Sequence, residues 1–250
     1  MKHYVEHYNS IELNITHYKI YGEKGVRNWA EKAKGKDFKF CPKMFQGITH
    51  KGKLNTKRFL TNEFFRGMVG FGEHLGPIFV QFSETFSPKR KLELFTYLET
   101  FPANLPYFLE VRHPAWFEKE NEKEELFKFL SDHNMGAVIT DTAGRRDCAH
   151  MRLTIPKAFI RFVGNSLHPT DYTRIDAWVG RIKHWLDHGL PEIYFFMHMH
   201  DEATSPELTV YLIDKLNAVC GLNLKKPQFV DPTGSQKKTP RKSRWSLNLE

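Results

Sequence analysis

Apolar residues along this chain alternate between two patterns: short unbroken runs, and longer stretches in which they recur every three or four positions. The runs predict strands at 10–14, 38–42, 78–82, 107–112, 137–141, 159–163 and 193–199. The longer spacing predicts helices at 26–33, 59–73, 91–101, 122–134, 171–188 and 206–219. The clearest of these is 171–188, where Tyr172, Ile175, Trp178, Val179, Ile182, Trp185 and Leu186 form one apolar stripe. Residues 1–8 have the pattern of the closing turns of a helix, with Tyr4, Val5 and Tyr8 on one face.

Strands that alternate with helices point to a parallel sheet with helical crossovers. An open doubly wound sheet also alternates, but no glycine-rich phosphate loop follows the first strand, and 250 residues suit an eightfold barrel. The expectation is therefore a (β/α)8 TIM barrel over residues 1–222, N-terminally incomplete, with seven strands in this chain and the first one missing. Residues 223–250, with Pro227, Pro232, Pro240 and clustered Lys and Arg, are expected to be a loosely structured basic tail.

The stretch Tyr107-Phe-Leu-Glu-Val-Arg112 carries the strongest chemical signal. Alternation along a strand puts Phe108, Glu110 and Arg112 on one face, so a carboxylate and a guanidinium leave a buried element together. Burying charge costs several kcal/mol unless each ion is paired, on the order of the effective penalty for a desolvated ion. The same two-residue period, applied to the other strands, aims Glu12, Asn14, Cys41, Lys43, Gln81, Asp141, Arg161, His198 and His200 at one barrel mouth. Catalytic groups of this fold class come from the C-terminal strand ends. Glu12, Glu110 and Asp141 against Lys43, Arg112 and Arg161 would give a neutral network.

Composition narrows the partners. The net charge is +8, but residues 225–250 hold seven Lys or Arg against Asp231 and Glu250, and residues 1–224 hold thirty basic against twenty-seven acidic residues. The basic signal belongs mainly to the tail. Cys41, Cys148 and Cys220 are odd in number and lack disulfide or zinc spacing, which fits a cytoplasmic location. No run of about 18 apolar residues is present to span a membrane.

Glu110, Arg112, His113, Pro114 and Trp116 together resemble the YecE-like family, TIM-barrel proteins catalogued as a domain of unknown function. Glu12 and Asn14, Lys43 with Thr49 and His50, Gln81, Arg161 with Gly164, and Trp178 match that family's pattern in order, over about residues 1–219. The resemblance implies a (β/α)8 barrel and brings no established activity, substrate or cofactor. Relatives open with a strand carrying Gly and Trp that this chain lacks, and carry an amide at the position of His198.

Glu110, Lys43 and Asp141 are the candidate catalytic groups. Glu110 is a general base or acid; Phe108 beside it would raise its pKa and Arg112 would lower it, and the sequence leaves both open. Lys43 is an electrophile, an amine nucleophile or an anion anchor. The candidate substrate-binding set is Glu12, Asn14, His50, Gln81, Arg112, His113, Trp116, Arg161, Gly164, Asn165 and His198. Gly164, Asn165 and Ser166 are equally a plain turn or a phosphate cradle. His198, His200 and Asp201 are better accounted for as polar groups at a strand end than as metal ligands, and the sequence leaves the cofactor unknown.

The predicted protein binds a small anionic substrate, phosphorylated ones included, and acts on it by carboxylate and lysine acid–base chemistry. Hydrolase, lyase and isomerase reactions all suit such a site. Two alternatives remain: a nucleic-acid-binding protein using Arg112, Arg145, Arg146, Arg161 and the tail, and a non-catalytic scaffold whose charges are structural.

Overall fold

The computed structural model describes residues 2–142, 144–199 and 204–228. Its helices are α1 (Lys2–His7), α2 (Glu23–Ala30), α3 (Gln46–Thr49), α4 (Arg58–Met68), α5 (Lys91–Leu98), α6 (Ala115–Glu118), α7 (Glu120–Asp132), α8 (Pro169–Asp187) and α9 (Ser205–Cys220). Its strands are β1 (Ser10–Leu13), β2 (Lys39–Pro42), β3 (Ile78–Gln81), β4 (Tyr107–Glu110), β5 (Gly136–Thr142), β6 (Ala158–Gly164) and β7 (Ile193–Met199). All ladders are parallel, as strand–helix alternation dictates.

The expectation of a (β/α)8 barrel is corrected by the sheet topology. Strands β3 to β7 form a five-stranded half-barrel sheet, and β1 and β2 form a separate pair. Isolated bridges Phe40–Leu75 and Lys43–Phe79 join β2 to the β3 region, with Met44 N–H donating to the Phe79 carbonyl at 2.8 Å. Among the described residues no ladder joins β7 to β1. A closed barrel needs every strand hydrogen-bonded on both edges, and here the last seam is made by side chains. A cleft of about 440 Å³ lies along it, lined by Ile11, Glu12 and Asn14 on one side and by Phe195, Met197 and His198 on the other. No described helix is long and apolar enough to cross a membrane.

Two faces of the sheet are apolar, which is why the strand segments show continuous runs. Outside, helices cover the strands with clusters that include Trp178, Val179 and Ile182 of α8 and Leu208 and Leu212 of α9. Inside, Cys41, Phe79, Phe108, Val138, Phe159, Tyr194 and Phe196 fill the concave face. Phe159 is its centre, with ring centroids 5.5 Å from Phe79, 5.3 Å from Phe108 and 4.8 Å from Phe196.

Gly136 makes this aromatic layer fit. A methyl group there would lie 2.2 Å from the Phe108 ring, inside van der Waals contact. Gly136→Ala is expected to destabilise the fold by about 1–3 kcal/mol through overpacking. A lowered urea midpoint at unchanged m would register it; an unshifted midpoint would mean that Phe108 has room to turn.

Candidate functional site at the strand ends

A charged layer sits directly above the aromatic one. Each of its members follows an inner-layer residue by two positions, so both face the same way: Lys43 follows Cys41, Gln81 Phe79, Glu110 Phe108, Thr140 Val138, Arg161 Phe159 and His198 Phe196. Glu12 joins them from β1.

Glu12 and Arg161 form the layer's tightest pair. Arg161 Nε donates to Glu12 Oε2 at 2.7 Å and Nη2 to Oε1 at 3.0 Å, a bidentate fork. His198 Nε2 approaches Glu12 Oε2 at 3.4 Å. Burial alone would raise the Glu12 pKa, but Arg161 and His198 outweigh it and hold the carboxyl well below the usual range.

Glu110 is buried and supplied with donors from three directions. Gln81 Nε2 donates to Oε2 at 2.5 Å and Thr140 Oγ1 to Oε1 at 2.7 Å; Arg161 Nη1 stands 3.8 Å from Oε2 and Arg112 Nε 3.5 Å from Oε1. Desolvation pushes its pKa up, and the two guanidiniums with the hydrogen bonds pull it down further, so the net direction is downward. Of the two environments open from the sequence, the arginine one prevails. Glu110 is an ionised carboxylate.

Lys43 is the exception in this layer. Its side chain is buried, and among the described residues its ammonium has no hydrogen bond or ion pair. It stands 5.0 Å above the Phe79 ring, which Arg161 shares at 4.9 Å. Desolvation, followed by repulsion from Arg161, lowers its pKa to about 8 despite the attraction of Glu12 and Glu110. His50, just past α3, lies beside His17, ring to ring at 5.0 Å. Burial and the charges of His17, Lys43 and Arg112 lower the His50 pKa to about 4, so it is neutral at neutral pH. His17 donates from Nδ1 to the Met44 carbonyl at 2.8 Å, and burial lowers its pKa also.

Several sequence candidates lie elsewhere. Asp141 faces the opposite side of β5, where Trp178 Nε1 donates to Oδ2 at 2.8 Å and Arg174 Nη2 pairs with Oδ1 at 3.0 Å. It is part of a network behind the sheet that includes Asp171, which is fully buried. The Asn165 N–H donates to both carboxylate oxygens of Asp171, at 2.9 and 2.8 Å. The turn at Gly164 and Asn165 thus already holds an anion of its own chain, and a methyl group on Gly164 would lie 2.4 Å from Met199 Sδ. Trp116 is fully buried and donates from Nε1 to the Phe86 carbonyl at 2.8 Å, which makes it a core residue. His113 accepts the Ala115 N–H through Nδ1 at 3.2 Å and so shapes the start of α6.

Asn14 lies at the seam cleft. Arg145 is tied to Glu84 at 2.7 Å and Asp147 at 3.1 Å, and it donates to the Arg112 carbonyl at 2.6 Å. His200, Asp201, the side chain of Arg146 and residues 229–250 lie outside the described residues. Among the described residues no group of three His, Cys, Asp or Glu side chains is placed to hold a metal ion.

Thr140 and His17 were not foreseen from sequence. Thr140 pairs in register with Arg161 across β5 and β6, and only that register shows which face it takes. His17 follows β1 in a 3-10 turn, where neither strand nor helix periodicity applies.

With Asp141 outside, the layer's balance changes. Glu12 and Glu110 face Lys43, Arg112 and Arg161, an excess of one positive charge when Lys43 is protonated.

Fold and site together define an α/β protein with parallel strands whose C-terminal ends carry a compact charged layer. The chain belongs to the family described as protein of unknown function DUF72, whose model matches residues 1–229. The resemblance carried by Glu110, Arg112, His113, Pro114 and Trp116 is thereby borne out. Over 234 residues the chain is 29% identical to the protein YecE of Escherichia coli (strain K12), covering 86% of this chain and 85% of that one. A DUF72 family protein of Enterococcus faecalis V583 has a similar structure, with a TM-score of 0.70, 19% identity and coverage of 89% of this chain and 93% of that one. One from Thermotoga maritima MSB8 aligns with a TM-score of 0.55 and 17% identity over 84% of each chain. These two likenesses speak to fold alone.

Proposed function

We propose that the charged layer binds a small anionic substrate and acts on it by acid–base chemistry, with Lys43 as the group that gains and loses the proton. The observation that carries this reading is a lysine of low exposure whose ammonium has no hydrogen bond or ion pair among the described residues, in a layer with an excess positive charge. Glu12 and Glu110 are committed to guanidiniums and remain ionised, whereas Lys43, with a pKa of about 8, exchanges its proton near neutral pH. A carboxylate held ionised serves as a base or as a fixed charge, and not as the acid. Arg112, partly exposed just beyond β4, is the second contact for the anion.

Titration calorimetry with inorganic phosphate and a panel of small carboxylates and sugar phosphates tests this. One of them should bind saturably, and Lys43→Ala should weaken it about tenfold or more, as expected on losing a charge-assisted contact. Glu110→Gln removes a negative charge, so it should leave binding equal or tighter while reducing turnover. Full affinity in Lys43→Ala together with full turnover in Glu110→Gln would remove the basis for the reading.

A further inference from the structure

Resting on that reading of the site, we propose that Lys43 is a carbonyl-condensing amine, which forms a Schiff base with a small 2-oxo acid whose carboxylate is held by Arg112. A lysine that serves only as a structural charge is best placed beside a free carboxylate. Neither carboxylate of the layer is free: Glu12 is gripped bidentately by Arg161, and Glu110 accepts from Gln81 and Thr140 and faces Arg112 and Arg161. Nζ instead stands over the apolar face of Phe79, in a buried side chain. Desolvation beside another cation is how proteins obtain a neutral, nucleophilic lysine, and its pKa of about 8 agrees.

Arg112 supplies the second half of the recognition. Its closest approach to Glu110 is through Nε, at 3.5 Å, and its two Nη nitrogens make no hydrogen bond among the described residues. That leaves the planar fork of the guanidinium to meet a planar carboxylate in two parallel hydrogen bonds.

The step balances without an oxidant or reductant. The Nζ lone pair forms a bond to the carbonyl carbon and the C–O π electrons move to oxygen. The resulting carbinolamine then breaks its C–O bond, and the oxygen departs as water with the two amine protons, leaving the C=N double bond.

The test is reductive trapping of the full chain with pyruvate and cyanoborohydride, followed by intact-mass measurement and peptide mapping, with lactate as the matching anion that lacks a carbonyl. One adduct per chain on the peptide that contains Lys43 is expected, formed about tenfold or more faster than on surface lysines, since a lowered pKa raises the neutral fraction. Lactate should suppress it. Lys43→Arg, which keeps the charge, should still bind lactate calorimetrically and give no adduct. Arg112→Gln should raise the half-saturating pyruvate concentration about tenfold, as expected for losing a charged fork.

Adducts spread over exposed lysines, or an unchanged adduct in folded Lys43→Arg, overturn the proposal. If lactate binds and is weakened by Lys43→Ala while pyruvate leaves Lys43 unlabelled, condensation is wrong and the anion site stands. If neither acid binds or labels, and the phosphate and carboxylate panel is also silent, both readings fall.

Discussion

Arg161→Met is expected to destabilise the protein by about 3–5 kcal/mol, the range for removing one partner of a buried ion pair. Arg161 is the cation between two buried carboxylates, forked onto Glu12 and 3.8 Å from Glu110. Methionine fills the space but leaves both oxyanions without their principal charge. The pH dependence identifies the cause. The Glu12 pKa is held below its ordinary value in the folded protein, so the pair's contribution is complete above the unfolded value of about 4.3 and is lost as pH falls towards the folded one. Wild-type stability should therefore decline in acid, and the gap to Arg161→Met should narrow there as Glu12 accepts a proton. Urea unfolding between neutral pH and pH 3 measures both. A gap that stays constant with pH would assign the loss to packing over Phe79 instead.

Lys43→Met is expected to act in the opposite direction, although Lys43 stands against the same aromatic ring. Its pKa falls to about 8 on folding, against about 10.4 in the unfolded chain, so below pH 8 the folded state holds a charge in a place that disfavours it. That cost is complete below pH 8 and is relieved as pH rises through the interval to about 10.4. Replacing the ammonium by a thioether should raise stability at pH 7 by on the order of 1–3 kcal/mol, less what the face of Phe79 returns by cation–π attraction. The gain should vanish above about pH 10, and anion binding should be lost throughout. Such an exchange of stability for function marks residues kept for chemistry. Thermal unfolding as a function of pH measures it, and destabilisation at pH 7 would make Lys43 a structural cation and favour the scaffold reading.

The positions of the strands were legible because their apolar runs are short and bounded, and because helical spacing separates them. Glu110, Glu12, Arg161 and Lys43 were legible for a related reason: a charge in an apolar run is conspicuous and its face follows from alternation. Asp141 shows where that argument fails. Residues 136–141 are apolar or small on both faces until Thr140, so nothing in Ala-Val-Ile-Thr-Asp tells inside from outside. The face is set by the register of β5 on β6, which pairs Thr140 with Arg161, and by Arg174 and Trp178 waiting on α8. A partner thirty-seven residues away leaves no local signature. At Gly164 and Asn165, where the sequence leaves a plain turn and a phosphate cradle equally open, the Asn165 N–H is taken by a carboxylate from the first turn of α8, a partner that local pattern does not show. Closure of the barrel was beyond local pattern altogether, since it depends on whether β7 and β1 meet edge to edge.

The way those two strands do meet has a consequence for motion. The β1–β2 pair is joined to the rest by isolated bridges near β3 on one side and by the grip of Arg161 and His198 on Glu12 on the other. A ladder resists opening through many backbone bonds, whereas the ion pairs described on this side converge on the Glu12 carboxylate. Glu12 is thus a clasp as well as a charge. Whatever competes with it for Arg161, a proton or an incoming anion, loosens the same edge of the sheet, so occupancy of the mouth and breathing of the seam are linked through Glu12.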